Sequence, residues 1–159
     1  MNTELNDALP STIRERVLEL LERPYAGSKG FEHDHQDARY YSNCHGTMAY
    51  VFDVQHEAVG KRDCPFHLPP YIMEQLIESC FVPTTGPDIG NLIGFFLKKS
   101  SDKPLFLLHT ALVVDLGGGI FHQSGSGGIF GFGTIDEKGM EFASSKGKNI
   151  LVTTYRPIK

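Results

Sequence analysis

Two apolar segments joined by a glycine-rich turn stand out in the second half of the chain. They are Leu105-Phe106-Leu107-Leu108-His109-Thr110-Ala111-Leu112-Val113-Val114, then the turn Asp115-Leu116-Gly117-Gly118, then Ile120-Phe121-His122-Gln123. Short runs of aliphatic and aromatic residues bounded by Asp and Gly are typical of strands and of the hairpins between them. We therefore predict an antiparallel pair of strands here.

Each of these two predicted strands contains a histidine. With the turn at 115–118, pairing is symmetric between positions 116 and 117, which sets Ala111 opposite His122. His109 shares a face with Ala111 because side chains alternate along a strand, so His109 and His122 become diagonal neighbours. A turn shifted by one residue would remove the contact, and each histidine could then be satisfied by a backbone carbonyl. With the contact, His122 can hold one ring nitrogen of His109 and leave the other for a thiol.

The remaining segments predict helices first and strands second. We expect a helix from Pro10-Ser11-Thr12 to Pro24, one from Cys44 to near Gln55, and one that carries Ile72 to Cys80 and is closed by Pro83 and Gly86. Further strands are predicted over 92–97, 129–135 and 150–155, with a hairpin turn at 125–128. This order is typical of an α+β domain with an antiparallel sheet, and 159 residues suit a single domain spanning 1–159.

Cys44 lies where a polar stretch ends and the apolar helical pattern Met48-Ala49-Tyr50-Val51-Phe52 begins. Ser42 or Asn43 can cap this helix, which places the thiol in its first turn. Unpaired N–H groups and the helix dipole favour a negative charge there, so the thiolate is stabilised. Cys44 is therefore a candidate nucleophile, whereas Cys80 suits an apolar helix face and Cys64 an incidental loop position.

Composition restricts the partners and the compartment. A formal charge of −4 with no Lys/Arg cluster argues against nucleic-acid binding. No apolar run reaches transmembrane length and the first residues do not resemble a signal peptide, so we expect no membrane insertion. Three unpaired cysteines favour a cytoplasmic setting, although export by a non-classical route or removal of a leader would leave the same sequence. The oligomeric state is left open.

In order along the chain, several motifs resemble the NlpC-type papain-like cysteine peptidases, which trim bacterial cell-wall peptides. The motifs are Pro24-Tyr25, the glycines 27–30, Asn43-Cys44-His45-Gly46, Gly90-Asn91-Leu92, His109 to Val114 before the glycines 117–119, His122 and Arg156-Pro157. The resemblance implies a papain-like fold with the Cys44 helix packed on an antiparallel sheet. It also implies Cys44 as nucleophile, His109 as general base and His122 as the third residue, with no cofactor.

The chain departs from the family pattern beside the nucleophile. Asn43 replaces the usual aspartate and His45 the usual serine, and the loop from Phe31 to Tyr41 is longer and more polar than in a typical member. We expect Tyr25, Asn43 and His45 to contact the substrate. His45 could compete with His109 for the thiol, although a helical neighbour one residue on is expected to point away.

The resemblance implies a peptide substrate, with a muropeptide carrying a D-glutamyl-diaminopimelyl linkage as the default. The alternatives are an acyltransferase or deamidase on the same triad, and a catalytically silent binding module of the same fold. A metal site is a weaker alternative, which would use His33, His35, Cys64 and His67.

Overall fold

The computed structural model describes residues 5–22, 42–60, 64–99, 104–124, 129–146 and 149–158, which form four helices and six strands. The helices are α1 (Ser11–Leu21), α2 (Cys44–Val51), α3 (Pro70–Cys80) and α4 (Ile135–Lys146). The strands are β1 (Phe81–Thr84), β2 (Leu92–Lys98), β3 (Phe106–Val113), β4 (Gly119–Gln123), β5 (Phe130–Thr134) and β6 (Asn149–Pro157). The predicted α+β class is confirmed.

All six strands belong to one antiparallel sheet in the order β1-β6-β2-β3-β4-β5. β1 is not predicted from the sequence, because Pro83 there indicates only the end of the preceding helix. Proline lacks the N–H that a central strand needs, but it is tolerated in a strand at the edge of a sheet, and β1 is an edge strand.

The predicted register of the central hairpin is confirmed. Leu112 pairs with Phe121 and Val113 with Ile120, which is the register that sets Ala111 opposite His122. Between β2 and β3 the register shifts, since Phe95 pairs with His109 whereas Phe96 pairs with Leu107. The extra residue, Leu108, directly precedes His109, and a bulge of this kind redirects the side chains that follow it.

The two faces of the sheet carry separate apolar clusters. One face packs against α1, α2 and α3 and includes Leu92, Leu112 and Phe121. The other packs against α4 and comprises Ile93, Phe95, Ala111, Val113 and Ile120, with Ile135 and Phe142 from α4 laid over them. Each fully buried large side chain contributes about 1.5–3 kcal/mol to the stability of the fold. Because side chains alternate along a strand, consecutive residues of β3 belong to the two different clusters.

Helix α4 corrects the predicted strand over 129–135, which includes Ile135. The strand ends at Thr134, whose hydroxyl accepts a hydrogen bond from the Glu137 N–H at 3.1 Å. Asp136 and Glu137 lie in the first turn, where negative charge interacts favourably with the helix dipole. Gly139 in the middle of the helix weakens the helical pattern, which explains the wrong prediction.

Several predicted features lie outside the described residues. These are Pro24, Tyr25, the glycines 27–30, the loop from Phe31 to Tyr41 and the turn at 125–128, whereas the first helix is seen to end at Leu21. Within the described ranges, no helix combines the length and the apolarity needed to cross a bilayer.

Candidate active site

The start of α2 is held by the amide of Asn43. Its Oδ1 accepts hydrogen bonds from the N–H of Gly46 at 2.8 Å and of Leu68 at 3.0 Å, and its Nδ2 donates to the Leu68 carbonyl at 2.8 Å. The predicted cap and the position of Cys44 in the first turn are confirmed. Since both ends of the amide are engaged and Asn43 is buried, its contacts are structural, and the expected substrate contact stays a prediction.

Gly46 lets the segment before α3 approach the first turn of α2. A Cβ at this position would collide with the carbonyl oxygen of Phe66. Only glycine fits here without moving backbone, which fixes where the Cys44 turn lies relative to residues 66–68.

Cys44 itself is buried, with 6% of its surface exposed. Its Sγ lies 3.7 Å from Nδ1 of His45, and the same nitrogen is hydrogen-bonded to Thr110 Oγ1 at 2.9 Å. The expectation that His45 points away from the thiol is therefore wrong. Every residue of α2 is buried, so the helix has no solvent-facing side, and the His45 ring extends onto β3.

His109 and His122 form the predicted pair. Nε2 of His109 lies 3.0 Å from Nδ1 of His122, and the two rings are almost perpendicular, at 85°. The His109 ring also contacts Phe95 and Phe142, with centroids 5.8 and 5.6 Å away. The 3.0 Å distance confirms the contact that was predicted from the hairpin register. Both histidines are buried.

The thiol and the histidine pair belong to opposite faces of the sheet. His109 faces α4, whereas Thr110, the next residue, faces α2 through His45. Within the described residues, the side chain of Cys44 is hydrogen-bonded to the His45 ring, and no hydrogen bond joins Cys44 to His109. The thiol nonetheless lies beside the backbone of Thr110.

The first turns of α2 lie where β3 and β4 separate. The two strands pair at Leu112–Phe121 and Val113–Ile120. Beyond these pairs, towards Thr110 and Gln123, α2 contacts both strands. His45 is hydrogen-bonded to Thr110 of β3, and the Thr47 hydroxyl donates to Gln123 Oε1 of β4 at 2.8 Å. The helix start therefore covers the gap between the strands, and the His109–His122 contact spans it on the other face.

Burial keeps Cys44 protonated in this arrangement, which corrects the expectation of a stabilised thiolate. Loss of hydration raises the pKa of its thiol to about 11, although hydrogen bonding by the backbone of Thr110, His45 and Cys44 and the charge of Lys138 act in the opposite direction. The backbone donors of Cys44 and His45 thus lie beside the sulfur, where an anion would form.

Burial also keeps the three histidines neutral. Desolvation, with the charge of His67, lowers the pKa of His45 to about 4, and desolvation with the charge of Lys138 lowers the pKa of His122 to about 4. The pKa of His109 lies well below its ordinary value because of burial first, and then the charges of His122, Lys138 and His45. A neutral imidazole can accept a proton, so each ring is a possible base.

No family model, curated protein or solved structure matches this chain. The resemblance to the NlpC-type peptidases therefore rests on the sequence motifs and stays a prediction.

Some residues of the site were not predicted from the sequence. Thr47, Thr110 and Gln123 are fully buried polar residues that connect α2 to the two strands, and Lys138 comes from the unpredicted helix α4. Gln123 carries a usable signal, because an amide directly after His122 in an apolar strand needs a buried partner. Of the alternative metal ligands, His33 and His35 lie outside the described residues.

Proposed function

We propose that this protein is a thiol hydrolase of papain-like type that cleaves an amide or isopeptide bond through Cys44, His109 and His122. The observation that carries the proposal is the 3.0 Å contact between His109 Nε2 and His122 Nδ1, which engages one nitrogen of His109 and leaves Nδ1 for a thiol. The position of Cys44 at the start of a helix, beside the backbone of the residue that follows His109, supports it.

In the proposed reaction the Cys44 thiol leaves His45 and reaches His109 through the gap between β3 and β4, and Nδ1 of His109 takes its proton. The sulfur attacks the carbonyl carbon, and the N–H groups at the helix start, including that of Cys44, bind the oxyanion. His109 gives the proton to the leaving nitrogen as the C–N bond breaks. Water, deprotonated by His109, then cleaves the thioester and restores the thiol.

His122 orients His109 in this scheme. With the proton of neutral His109 on Nε2, that N–H donates to His122 Nδ1, and Nδ1 of His109 carries the lone pair that the thiol proton needs. The arrangement requires neutral rings before the reaction, and burial keeps both histidines neutral. The same lowered pKa values make each ring a weaker base.

The proposed substrate is a peptide, with a muropeptide as the first to test. Muropeptides are incubated with the wild type, with Cys44→Ala and with Cys80→Ala as the matched cysteine control, and the products are identified by mass spectrometry. Hydrolysis by the wild type and the control, lost in Cys44→Ala, supports the proposal. Acyl transfer to an added amine would indicate an acyltransferase, and release of ammonia a deamidase.

A binding module without catalysis is the second candidate, and one observation favours it. The resting thiol is buried, hydrogen-bonded to His45 and not to His109, and has its pKa raised to about 11. If His109→Ala and His122→Ala leave the rate of Cys44 alkylation unchanged, and no muropeptide is cleaved, this candidate is favoured over the hydrolase.

A further inference from the structure

Lys138 occupies an unusual position for a lysine. Only 12% of its side chain is exposed, and its Nζ lies 3.2 Å from Oε1 of Glu141, whose own side chain is 64% exposed. Nζ also lies 5.1 Å from the centre of the Phe142 ring. A lysine is normally solvated, so one held between a carboxylate and an aromatic face has a defined position.

That position is next to the histidine pair. The Phe142 ring on which Lys138 rests also contacts the His109 ring. Lys138 and His122 line the same open cavity of about 260 Å³, together with Gly133, Thr134, Glu137 and Glu141. Gly133 keeps the cavity open to His122, because a Cβ there would lie 3.3 Å from Nε2 of that ring.

The charges around the pair come from both sides of the sheet. From α4, Lys138 acts on Cys44, His109 and His122, lowering the pKa of each, while Glu141 raises the pKa of His122. From α2, His45 lowers the pKa of His109. A cation in this position favours thiolate over thiol and neutral imidazole over imidazolium. Before the reaction it therefore stabilises the nucleophile and keeps His109 unprotonated, whereas it opposes the imidazolium that forms when His109 takes the thiol proton.

We propose that Lys138 is a positioning residue of the site, whose ammonium is held by Glu141 and Phe142 beside the cavity that His122 lines and sets the electrostatics of the His109–His122 pair and of Cys44. This inference rests on the proposed function. Lys138 acts through the histidines and the thiol, and it need not touch the substrate.

The test uses the full chain and needs no substrate. The second-order rate of Cys44 alkylation by iodoacetamide is measured against pH, with peptide mass spectrometry to separate Cys44 from Cys64 and Cys80. The protonation of His109 and His122 is followed by NMR of their ring carbons. Lys138→Met removes the charge and keeps most of the stem, Lys138→Arg keeps the charge, and Glu141→Gln removes the opposing carboxylate.

Lys138→Met should lower the Cys44 alkylation rate about threefold to tenfold at a given pH, and both histidines should titrate at higher pH. Lys138→Arg should recover most of this loss. Glu141→Gln should shift the titration of His122 to lower pH, because the carboxylate raises the pKa of that ring. Lys99→Met is the matched control, because Lys99 also lies over a phenylalanine ring, that of Phe106 at 5.8 Å, but is exposed and lies away from the cavity.

Titration curves and alkylation rates that are the same in folded Lys138→Met and the wild type would overturn the proposal. If Lys138→Met does not fold, Lys138→Gln, which removes the charge and keeps a polar end in the cavity, decides by the same titrations and alkylation rates. Failure of the hydrolase proposal is distinguishable, because it would appear as absent turnover and as no effect of His109→Ala on alkylation, while the effect of Lys138 on the histidine titrations would still be measurable.

Discussion

His109 and Thr110 are consecutive residues of β3 whose side chains contact opposite sides of the sheet: His109 contacts Phe142 of α4, and Thr110 is hydrogen-bonded to His45 of α2. Strand alternation thus gives each face of the sheet its own histidine next to the Cys44 turn. The thiol rests on the His45 side, and the proposed chemistry requires the His109 side.

The hydroxyl of Thr110 is hydrogen-bonded to His45 and so connects α2 to β3. Thr110→Val keeps the shape and removes the partner of His45 Nδ1, so we expect a loss of about 1–3 kcal/mol in the free energy of unfolding, measured by urea denaturation. Thr110→Ser keeps the hydroxyl and is the control. Equal stability of the Val and Ser variants would show that the hydrogen bond does not hold α2 on β3.

The Asn43 amide should contribute more than an ordinary cap. Asn43→Ala removes three buried hydrogen bonds, and we expect it to lower the free energy of unfolding by about 2–4 kcal/mol. Gln55→Ala is the matched control, because its amide is exposed and bonds only to Asp53 among the described residues. We expect the control to change the free energy of unfolding by less than about 0.5 kcal/mol. A similar loss of stability in both variants would show that the Asn43 amide does not hold the start of α2.

Two glycines in helices should respond to alanine with opposite signs. Gly46→Ala forces a Cβ onto the Phe66 carbonyl, so it should cost about 1–3 kcal/mol or more and displace the Cys44 turn. Gly139→Ala in α4 meets no atom within 4 Å and should stabilise the protein by about 0.5–1 kcal/mol. Thermal unfolding of both variants checks the pair, and stabilisation by Gly46→Ala would refute the close approach.

Stability should fall as the solution becomes mildly acidic. The pKa values of His45 and His122 are lowered to about 4 and that of His109 well below its ordinary value, whereas in the unfolded chain histidines titrate near their ordinary value of about 6.5. Below that value the unfolded state therefore binds more protons. Each histidine then removes about 1.4 kcal/mol from the free energy of unfolding per pH unit, and the loss continues down to the folded pKa.

Urea denaturation at several pH values between about 7 and about 5 measures this slope. His45→Asn should make the slope shallower by about one proton, whatever its effect on stability at neutral pH. A flat profile over this range in the wild type would mean that the buried histidines are charged in the folded state.

The central hairpin could be predicted because its register follows from local information. The turn at 115–118 fixes the pairing, the period of two fixes the face, and together they bring His109 to His122. The cap at Asn43 was equally readable, since it depends on neighbouring residues alone. Features set by a few consecutive residues were therefore accessible from the sequence.

The position of α2 relative to the sheet could not be predicted, because it depends on contacts between distant segments. The Gly46–Phe66 approach, the His45–Thr110 bond and the Thr47–Gln123 bond join residues 20 or more positions apart, and no local pattern encodes them. Helix α4 was hidden by Gly139 and by its few apolar residues. Because α4 was not predicted, the position of Lys138 next to the proposed base His109 could not be predicted either.

β6 is the last described element along the chain, yet it occupies an interior place in the sheet, between β1 and β2. During synthesis, β2 to β5 and the helices can be made while β2 still has an unpaired edge, which is an aggregation hazard. Only the emergence of residues 149–157 closes that edge and attaches β1. The hairpin that carries the histidine pair is thus synthesised before β6. A nascent chain that stalls before residue 149 exposes the unpaired edge of β2 to other nascent chains.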